Sequence, residues 1–436
     1  MKYYCIGIKG SGMATLAEIL FDLGNEVSGY DDYKDYKFTQ EGIDKRGITI
    51  YYDSNHEIDN DTIVTYSKAF SESHPEIIRV KKLGLKMVDY DNLLGDLSRK
   101  FKTIGVSGTH GKTTTSKMIS HVLSNTKGSN YFIGDGTGFA SKDNNLFVLE
   151  SCEYKKHLLS YNPYYAIVTN IELEHTECFK DINDIINTFE EFSNKANVVI
   201  ACGDDFNVRK MDISKRVIYY GFNDNNDVIA KNIELTETGS KFDVYMDGFL
   251  YGTFNIPVFG EHMILNALAS IIVCNLEDVD KESINDYLNT FENAKRRFKV
   301  KTFGDVITVD DYAHHPTELK VTIKSARQKY PDKEIVAVFL PNTYSRTEAL
   351  MDDFVEALKT SDKAYVMDIH CDRERKEDYP NASSDNLIKN IEGAEKISLE
   401  TADKLLKHDN SVICFMSCAN IYEIINEFEK LITNKK

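Results

Sequence analysis

The 436-residue sequence lacks the features that mark membrane, secreted and nucleic-acid-binding proteins. It has no apolar run of membrane-spanning length, and its first residues run directly into a strand-like pattern instead of a signal peptide. A formal net charge of −17 disfavours a general binder of nucleic acid or membrane surfaces. Internal repeats and low-complexity tracts are also missing. We therefore expect a cytoplasmic protein, monomeric or homodimeric, that binds neither nucleic acid nor membrane.

Paired cysteines are missing too. The eight cysteines are scattered and form no C-x-x-C pair. We therefore expect neither a disulfide framework nor a structural zinc site. We also expect the protein to reside in a reducing compartment.

The length of the chain is enough for two to four domains with sizeable cores.

The chain is organised around residues 104–115, IGVSGTHGKTTT, which follow a short apolar run and precede a helical pattern. Gly108 and Gly111 can adopt positive φ and bring backbone N–H groups close to an anion. Lys112 supplies a positive charge for the β- and γ-phosphates, and the Thr113 hydroxyl is placed to bind Mg²⁺. The stretch predicts a nucleotide phosphate at a helix N-terminus.

This stretch departs from the general P-loop pattern in one place. Val106 stands where that pattern has a glycine five positions before Gly111. A glycine-rich turn that binds no ligand is the alternative interpretation. The Gly-Lys-Thr at the change from strand to helix favours phosphate binding.

Two predicted apolar strands end at Glu150 and at Asn170, and His175 follows the second. In open α/β sheets, ligands bind outside the carboxyl ends of the strands. We therefore expect Thr113, Glu150 and His175 to converge on one metal site. Hard oxygen ligands suit Mg²⁺, and the histidine makes Mn²⁺ a possible substitute. For His175 alone, a helix-capping or surface histidine is the alternative.

The first segment predicts a β-α-β unit with a glycine turn. A strand over 3–8 leads into Gly10 and Gly12, a helical pattern follows, and a second strand over 26–29 is followed by Asp31. Such a turn can hold a diphosphate, with the acid meeting a ribose. A turn that serves only packing is the alternative.

Two further segments complete the predicted architecture. Residues 215–257 alternate like antiparallel strands around a hairpin turn at Asp247-Gly248, which predicts a small β layer beside the nucleotide sheet. After residue 298, strands alternate with helical stretches and predict another open α/β domain. The fold class is α/β in three domains, with expected bounds of 1–98, 99–297 and 298–436.

The spelling GTHGKTTT, the Thr-Glu-His trio and the stretch DDYAHHPTE at residues 310–318 together resemble the Mur ligases. These ATP-dependent enzymes join an amino acid to a UDP-linked sugar acid. The resemblance runs through almost the whole chain in order. It implies an N-terminal Rossmann-like UDP-binding domain, a central P-loop ATPase-like domain and a C-terminal Rossmann-like domain.

The resemblance also implies roles for individual residues. The implied ATP-binding residues are Gly108, Thr109, His110, Gly111, Lys112, Thr113, Thr114, Asn266, Arg297 and Asp310. The implied UDP-sugar-binding residues are Gly10, Ser11, Gly12, Met13, Asp31 and Ser67. The implied catalytic residues are Lys112, Glu150, His175 and Arg346, with Thr113, Glu150 and His175 as metal ligands. The residues implied on the amine side are Tyr312, His314, His315, Tyr344 and Arg346.

The implied reaction activates the carboxylate of UDP-N-acetylmuramate. ATP passes its γ-phosphoryl group to that carboxylate, with Mg²⁺ or Mn²⁺ as cofactor, and the amine of L-alanine then attacks the acyl phosphate. Positioning and neutralisation of charge would supply most of the rate acceleration.

The sequence departs from the family at several places. Lys9 replaces a glycine in GIKGSGM, Met263 replaces an asparagine in GEHMILNA, and ESCEYK at 150–155 has lost two aspartates. In LPNTYSRT, Asn342 and Thr343 replace His and Arg, and HCDRE and SCAN are altered as well. A related ligase that adds another amino acid or a peptide is therefore an alternative, as are a P-loop NTPase of other function and a non-catalytic homologue.

Overall fold

The structure is a computed structural model that describes residues 1–67, 69–175, 178–294, 296–371 and 374–435. Asp372 and Arg373 of the HCDRE stretch lie outside the described residues. The chain forms two compact units. The first unit comprises Met1–Lys231, Asp243–Phe254 and Leu265–Thr290, and the second comprises Asn232–Phe242, Asn255–Ile264 and Phe291–Lys436.

The described strands belong to three sheets. They are β1 (Lys2–Ile6), β2 (Glu26–Tyr30), β3 (Thr49–Tyr51), β4 (Thr62–Tyr66), β5 (Lys86–Asp89), β6 (Lys102–Ser107), β7 (Ser129–Ile133), β8 (Thr137–Phe139), β9 (Leu146–Glu150), β10 (Tyr165–Val168), β11 (Val198–Cys202), β12 (Arg216–Gly221), β13 (Val228–Thr236), β14 (Gly239–Met246), β15 (Phe249–Ile256), β16 (Lys299–Phe303), β17 (Val306–Asp311), β18 (Glu334–Phe339), β19 (Lys363–Val366), β20 (Glu395–Lys396) and β21 (Ser411–Met416).

Helices connect most of these strands. The α-helices are α1 (Ser11–Asp22), α2 (Gln40–Lys45), α3 (Pro75–Lys82), α4 (Tyr90–Ser98), α5 (Lys112–Ser124), α6 (Ile182–Asn194), α7 (Glu261–Leu276), α8 (Lys281–Leu288), α9 (Pro316–Lys329), α10 (Tyr344–Ala349), α11 (Met351–Leu358), α12 (Ser384–Lys389) and α13 (Tyr422–Asn434). The 3₁₀ helices are Tyr154–Ser160, Val208–Lys210, Lys376–Asp378 and Leu399–Lys407. Among the described helices, none is long and apolar enough to cross a membrane.

The first sheet is parallel, with the strand order β3-β2-β1-β4-β5. The register pairs Ile6 with both Tyr30 and Tyr66, and Tyr66 in turn with Asp89. The glycine turn and the segments that follow β2, β4 and β5 therefore begin at the same edge of the sheet. The predicted β-α-β unit is confirmed, and Gly24, with φ of 78°, lies just after the helix end at the position of a C-cap glycine.

The second sheet has ten strands in the order β15-β14-β13-β12-β11-β10-β6-β9-β7-β8. Its central strands are parallel, and the register places Ser107 beside Val168 and Val106 beside Glu150. The carboxyl ends of β6, β9 and β10 therefore meet at one edge, as the sequence predicts. The Asp247-Gly248 turn joins β14 to β15 with positive φ at both residues, 50° and 82°.

The third sheet, in the second unit, has the order β16-β17-β21-β18-β19-β20. Only β16 among the strands with a described register runs antiparallel, to β17. Helices α9, α11 and α12 contribute apolar side chains to one core beside this sheet, and α13 contributes to another. The fold is therefore α/β with largely parallel sheets, as predicted.

A buried ionic network attaches helix α1 to β8 within the first unit. Arg46 lies 3.2 Å from Glu18 and 2.8 Å from Asp22, and it donates a 2.9 Å hydrogen bond to the Gly138 carbonyl. Glu18 also accepts a 3.0 Å hydrogen bond from the Gly138 amide. These contacts fix the helix that follows the glycine turn against the sheet that carries the phosphate-binding stretch.

Candidate active site

The turn between β6 and α5 has the geometry of a phosphate-binding loop. Gly108 has a φ of 128° and Gly111 a φ of 83°, which L side chains rarely adopt. A β-carbon on Gly108 would lie 2.0 Å from Thr169 Oγ1, and one on Gly111 would lie 2.9 Å from Asn266 Oδ1. Both glycines are therefore needed for their backbone conformation and for space.

Asn170 holds the middle of this turn. Its Oδ1 accepts a 2.8 Å hydrogen bond from the His110 amide, and its Nδ2 donates a 2.9 Å bond to the His110 carbonyl. The Thr109 amide donates to the Asn170 carbonyl at 3.0 Å. The asparagine after β10 thus fixes the backbone that leads into α5.

Lys112 lies inside the loop and pairs with Glu153. Its Nζ is 2.6 Å from the Gly108 carbonyl, 2.9 Å from the Thr109 carbonyl and 2.9 Å from Glu153 Oε2. The side chains of Lys112 and Glu153 are only 13% and 3% exposed. Burial lowers the pKa of Lys112, but Glu153, Cys152 and Glu150 together have the larger effect, so the pKa is raised.

Glu150 faces the hydroxyl beside this lysine. The Thr113 Oγ1 donates a 2.9 Å hydrogen bond to Glu150 Oε1, and the Gly134 amide donates a 2.6 Å bond to Oε2. Two hard oxygen donors at this separation suit one Mg²⁺ ion. His175, by contrast, has Nε2 at 3.8 Å from Glu153 and its ring edge against Tyr154. Whether Thr113, Glu150 and His175 share one metal stays a prediction.

The glycine turn of the first sheet is held by Asp31. This buried carboxylate accepts hydrogen bonds from the amides of Lys9 at 2.9 Å and Tyr33 at 3.0 Å. Ser67 follows β4 at the same edge, and its Cβ would lie 3.1 Å from a β-carbon on Gly7. The first turn of α1, at Ser11 to Met13, has Gly10 as its N-cap and no side-chain cap.

Lys9 is directed away from this turn. It is 1% exposed, and its Nζ donates to the carbonyls of Tyr33 and Asp35, both at 2.9 Å, and to the Tyr52 hydroxyl at 3.1 Å. The sequence places this lysine beside a diphosphate, and the structure instead uses it to fasten the segment after β2. The replacement of a glycine by Lys9 does not by itself indicate where the lysine side chain points.

In the second unit, the DDYAHHPTE stretch surrounds a pair of arginines. Arg296 Nε lies 3.7 Å from Asp310, and Arg297 lies 3.4 Å from Glu318. Glu318 also accepts a 3.0 Å hydrogen bond from the His314 amide and forms a capping box with His315 at the start of α9. The Tyr312 ring lies 5.1 and 5.3 Å from the two guanidinium groups.

The LPNTYSRT stretch lies at the start of α10 in the same unit. Glu374 accepts hydrogen bonds from the amides of Tyr344 at 2.8 Å and Ser345 at 3.0 Å. Arg346 donates a 3.1 Å bond to the Asn342 carbonyl. Thr343 has a φ of 70°, which is unfavourable for a β-branched residue.

Sequence reasoning missed the contributions of several residues to these sites. The pairing of Glu153 with Lys112 follows from the fold and not from a recognised spacing. The direct contact of Tyr90 with the glycine turn has no signal in the motif itself, because the two are 78 positions apart. The position of Asn170 does carry a signal in the sequence, because an amide side chain at the end of a central parallel strand lies at the ligand-binding edge.

A three-domain α/β fold with glycines, a lysine and a threonine at a helix N-terminus is typical of enzymes that use a nucleoside triphosphate. Three family models match this chain in order. They are the Mur ligase family catalytic domain at residues 2–102, the Mur ligase middle domain at 106–274 and the Mur ligase glutamate ligase domain at 296–418. The chain belongs to the Mur ligase family, the ATP-dependent ligases of peptidoglycan synthesis.

Solved structures of similar chains agree with this assignment. A UDP-N-acetylmuramate-alanine ligase from Thermotoga maritima is 25% identical, covers 100% of both chains and superposes with a TM-score of 0.81. A murein peptide ligase from Psychrobacter arcticus is 21% identical, with coverage of 100% and 99% and a TM-score of 0.70. A MurF ligase from Thermotoga maritima, solved with ADP, is 18% identical, with coverage of 87% and 97% and a TM-score of 0.69. These likenesses confirm the three-domain fold.

Proposed function

We propose that the protein joins L-alanine to the carboxylate of UDP-N-acetylmuramate, through an acyl phosphate formed with ATP. The observation that carries this proposal is the assembly of Lys112, Thr113 and Glu150 at the carboxyl edge of a parallel sheet, beside a turn whose glycines have positive φ. The full-length similarity to an alanine ligase supports the choice of substrates.

The residues of the turn would bind the triphosphate. Backbone amides at the start of α5 and the Lys112 ammonium favour the β- and γ-phosphates. Thr113 and Glu150, whose oxygens lie 2.9 Å apart, would hold Mg²⁺. The ion would neutralise charge at the transferred phosphoryl group, with Mn²⁺ as a substitute. Glu153 would keep Lys112 in place until a phosphate oxygen takes over as its partner.

The chemistry then needs two displacements. A carboxylate oxygen of the sugar acid attacks the γ-phosphorus, and ADP leaves. The amine of the amino acid attacks the resulting acyl carbon, inorganic phosphate leaves and the amine loses a proton. In this proposal Arg346 binds the carboxylate of the incoming amino acid, because a guanidinium can bind a carboxylate through two hydrogen bonds. The same proposal assigns His314, His315, Tyr312 and Tyr344 to the binding of the amine substrate.

A second candidate is a ligase of the same type that adds another amino acid or a short peptide. It is favoured by the full-length likeness to a murein peptide ligase, and by Asn342 and Thr343 in place of the basic residues expected there. Both candidates share the ATP-dependent activation of the sugar acid and differ only in the amine.

The test is phosphate release from ATP with UDP-N-acetylmuramate and a panel of L-amino acids and murein peptides, with product mass measured for each. We expect alanine-dependent product, and its loss in Lys112→Ala, assayed at a temperature where circular dichroism shows that variant to be folded. Preferred use of another amine would support the second candidate. Normal turnover by Lys112→Ala would contradict the role of the turn in both.

A further inference from the structure

Tyr90 lies directly against the glycine turn of the first sheet. It is the first residue of α4 and follows β5, whose register with β4 brings it to the edge where the turn begins. A β-carbon on Gly12 would lie 2.6 Å from the Tyr90 hydroxyl oxygen. Gly12 is part of α1, and its φ is not among the positive values. The tyrosine, and not the backbone conformation, therefore requires a glycine here.

The hydroxyl of Tyr90 is a donor with no acceptor in the described part of the chain. Its ring is fixed, because it packs against the main core of the first unit and lies 6.3 Å from the His157 ring. The next residue, Asp91, lies 3.2 Å from His157 Nδ1 and anchors the start of α4. The hydroxyl is thus held in one place by packing on one side and faces the start of α1 on the other.

The Tyr90 hydroxyl remains a hydrogen-bond donor at physiological pH. Burial raises the pKa of Tyr90, and the nearby Cys152, Asp91 and Glu150 raise it further, so the hydroxyl keeps its proton at physiological pH. A neutral O–H can donate to an oxyanion without adding negative charge. Meanwhile Lys9, the basic side chain of the turn, is bonded to the carbonyls of Tyr33 and Asp35.

We propose that the Tyr90 hydroxyl donates a hydrogen bond to the diphosphate of the sugar nucleotide. It would take the place of the Lys9 ammonium, which is hydrogen-bonded to the carbonyls of Tyr33 and Asp35. The diphosphate would lie over the uncapped first turn of α1, where backbone N–H groups favour negative charge. The hydroxyl, next to Gly12, would bind it beside this first turn. The identity of the ligand rests on the proposed function, and the role of Tyr90 adds to it.

Binding of UDP to the purified full-length protein tests this directly. Loss of one hydrogen bond to a charged group in Tyr90→Phe should weaken UDP binding about 10- to 100-fold, measured by calorimetry. Binding of uridine, measured by NMR titration, should not change. The matched control is Tyr3→Phe, which removes a hydroxyl whose only hydrogen bond among the described residues is to Met1 Sδ at 3.9 Å.

Kinetics separate binding from chemistry. In Tyr90→Phe we expect the KM for UDP-N-acetylmuramate to rise by the same factor as the UDP dissociation constant. The kcat and the KM for ATP should stay within about twofold, because the lost hydrogen bond would bind the ground state and the transition state equally. UDP bound as tightly by Tyr90→Phe as by the wild type would overturn the proposal. An equal loss for uridine would overturn the assignment to the diphosphate.

The outcomes also distinguish this proposal from the proposed function. If UDP binds and Tyr90→Phe weakens it, yet no amine on the panel gives a product, the ligase proposal fails and the role of Tyr90 stands. If product forms and Tyr90→Phe binds UDP normally, the ligase proposal stands and the role of Tyr90 fails.

Discussion

Replacing Glu153 with Gln should destabilise the protein without nucleotide far more than the protein with nucleotide. The carboxylate lies 2.9 Å from the Lys112 ammonium, and the two side chains are 3% and 13% exposed. Removing one partner of a buried ion pair leaves the other charge unpaired, which costs about 3–5 kcal/mol. Two backbone carbonyls at 2.6 and 2.9 Å remain on Lys112, so we expect the lower end, about 3 kcal/mol.

The pH of the measurement follows from the raised pKa of Lys112. The pKa of Lys112 is higher in the folded chain than its ordinary value of 10.5. The ion pair therefore contributes its full stabilisation of the fold below pH 10.5. Its contribution is lost as the pH rises through the folded value. Urea unfolding at pH 7.5 therefore reports the whole effect.

Two comparisons make this prediction refutable. A non-hydrolysable ATP analogue with Mg²⁺ supplies phosphate oxygens to Lys112, so the difference between wild type and Glu153→Gln should shrink when the analogue is bound. The double variant Lys112→Met/Glu153→Gln buries no unpaired charge and should recover most of the lost stability. If the double variant is as unstable as Glu153→Gln alone, the stranded charge is not the cause and the reasoning is wrong.

Two more predictions concern His262 in the second unit and Gly108 in the phosphate-binding turn. Burial, with help from Arg297, lowers the pKa of His262 from 6.5 to about 4, so the unfolded chain takes up the extra proton and stability should fall as the pH drops from about 6.5 towards 4. Urea midpoints at pH 7 and pH 5 measure this, and His262→Gln should reduce the difference. Gly108→Ala places a methyl group 2.0 Å from Thr169 Oγ1 at a φ of 128°. It should abolish ATP-dependent turnover in a phosphate-release assay, and unchanged ADP affinity by calorimetry would contradict this reason.

The parts of the fold that the sequence predicts are those set by local pattern. The glycines and the Gly-Lys-Thr mark the change from β6 to helix α5, and apolar runs that end in Glu150 and Asn170 mark strands with functional ends. The Asp247-Gly248 hairpin is predicted because both residues readily take positive φ. In each case the residues concerned determine their own backbone conformation or burial.

The parts that could not be predicted depend on contacts between residues distant in sequence. Lys9 replaces a glycine in the turn predicted to hold a diphosphate, yet its four-carbon stem reaches carbonyls 24 and 26 positions later. Asp31 is used to hold the amides of the turn, a role that its place after a strand does not distinguish from binding a ribose. Periodicity gives the face on which a side chain begins, and it does not give the group that its far end reaches.

The residues of the phosphate-binding turn and those around α10 differ in how well the sequence pattern predicts their contacts. At the phosphate-binding turn, the Thr113 hydroxyl and the Glu150 carboxylate that the sequence pattern names are hydrogen-bonded, and the glycines of the turn have positive φ. Around α10 they do not, because Glu374 already binds the two amides at the start of that helix and Thr343 has a strained backbone where the family has an arginine. Strain of this kind persists where the surrounding structure imposes it, often next to a ligand. The departures around α10 therefore bear on the proposed choice of amine, and they leave ATP-dependent ligation as the property shared with the family.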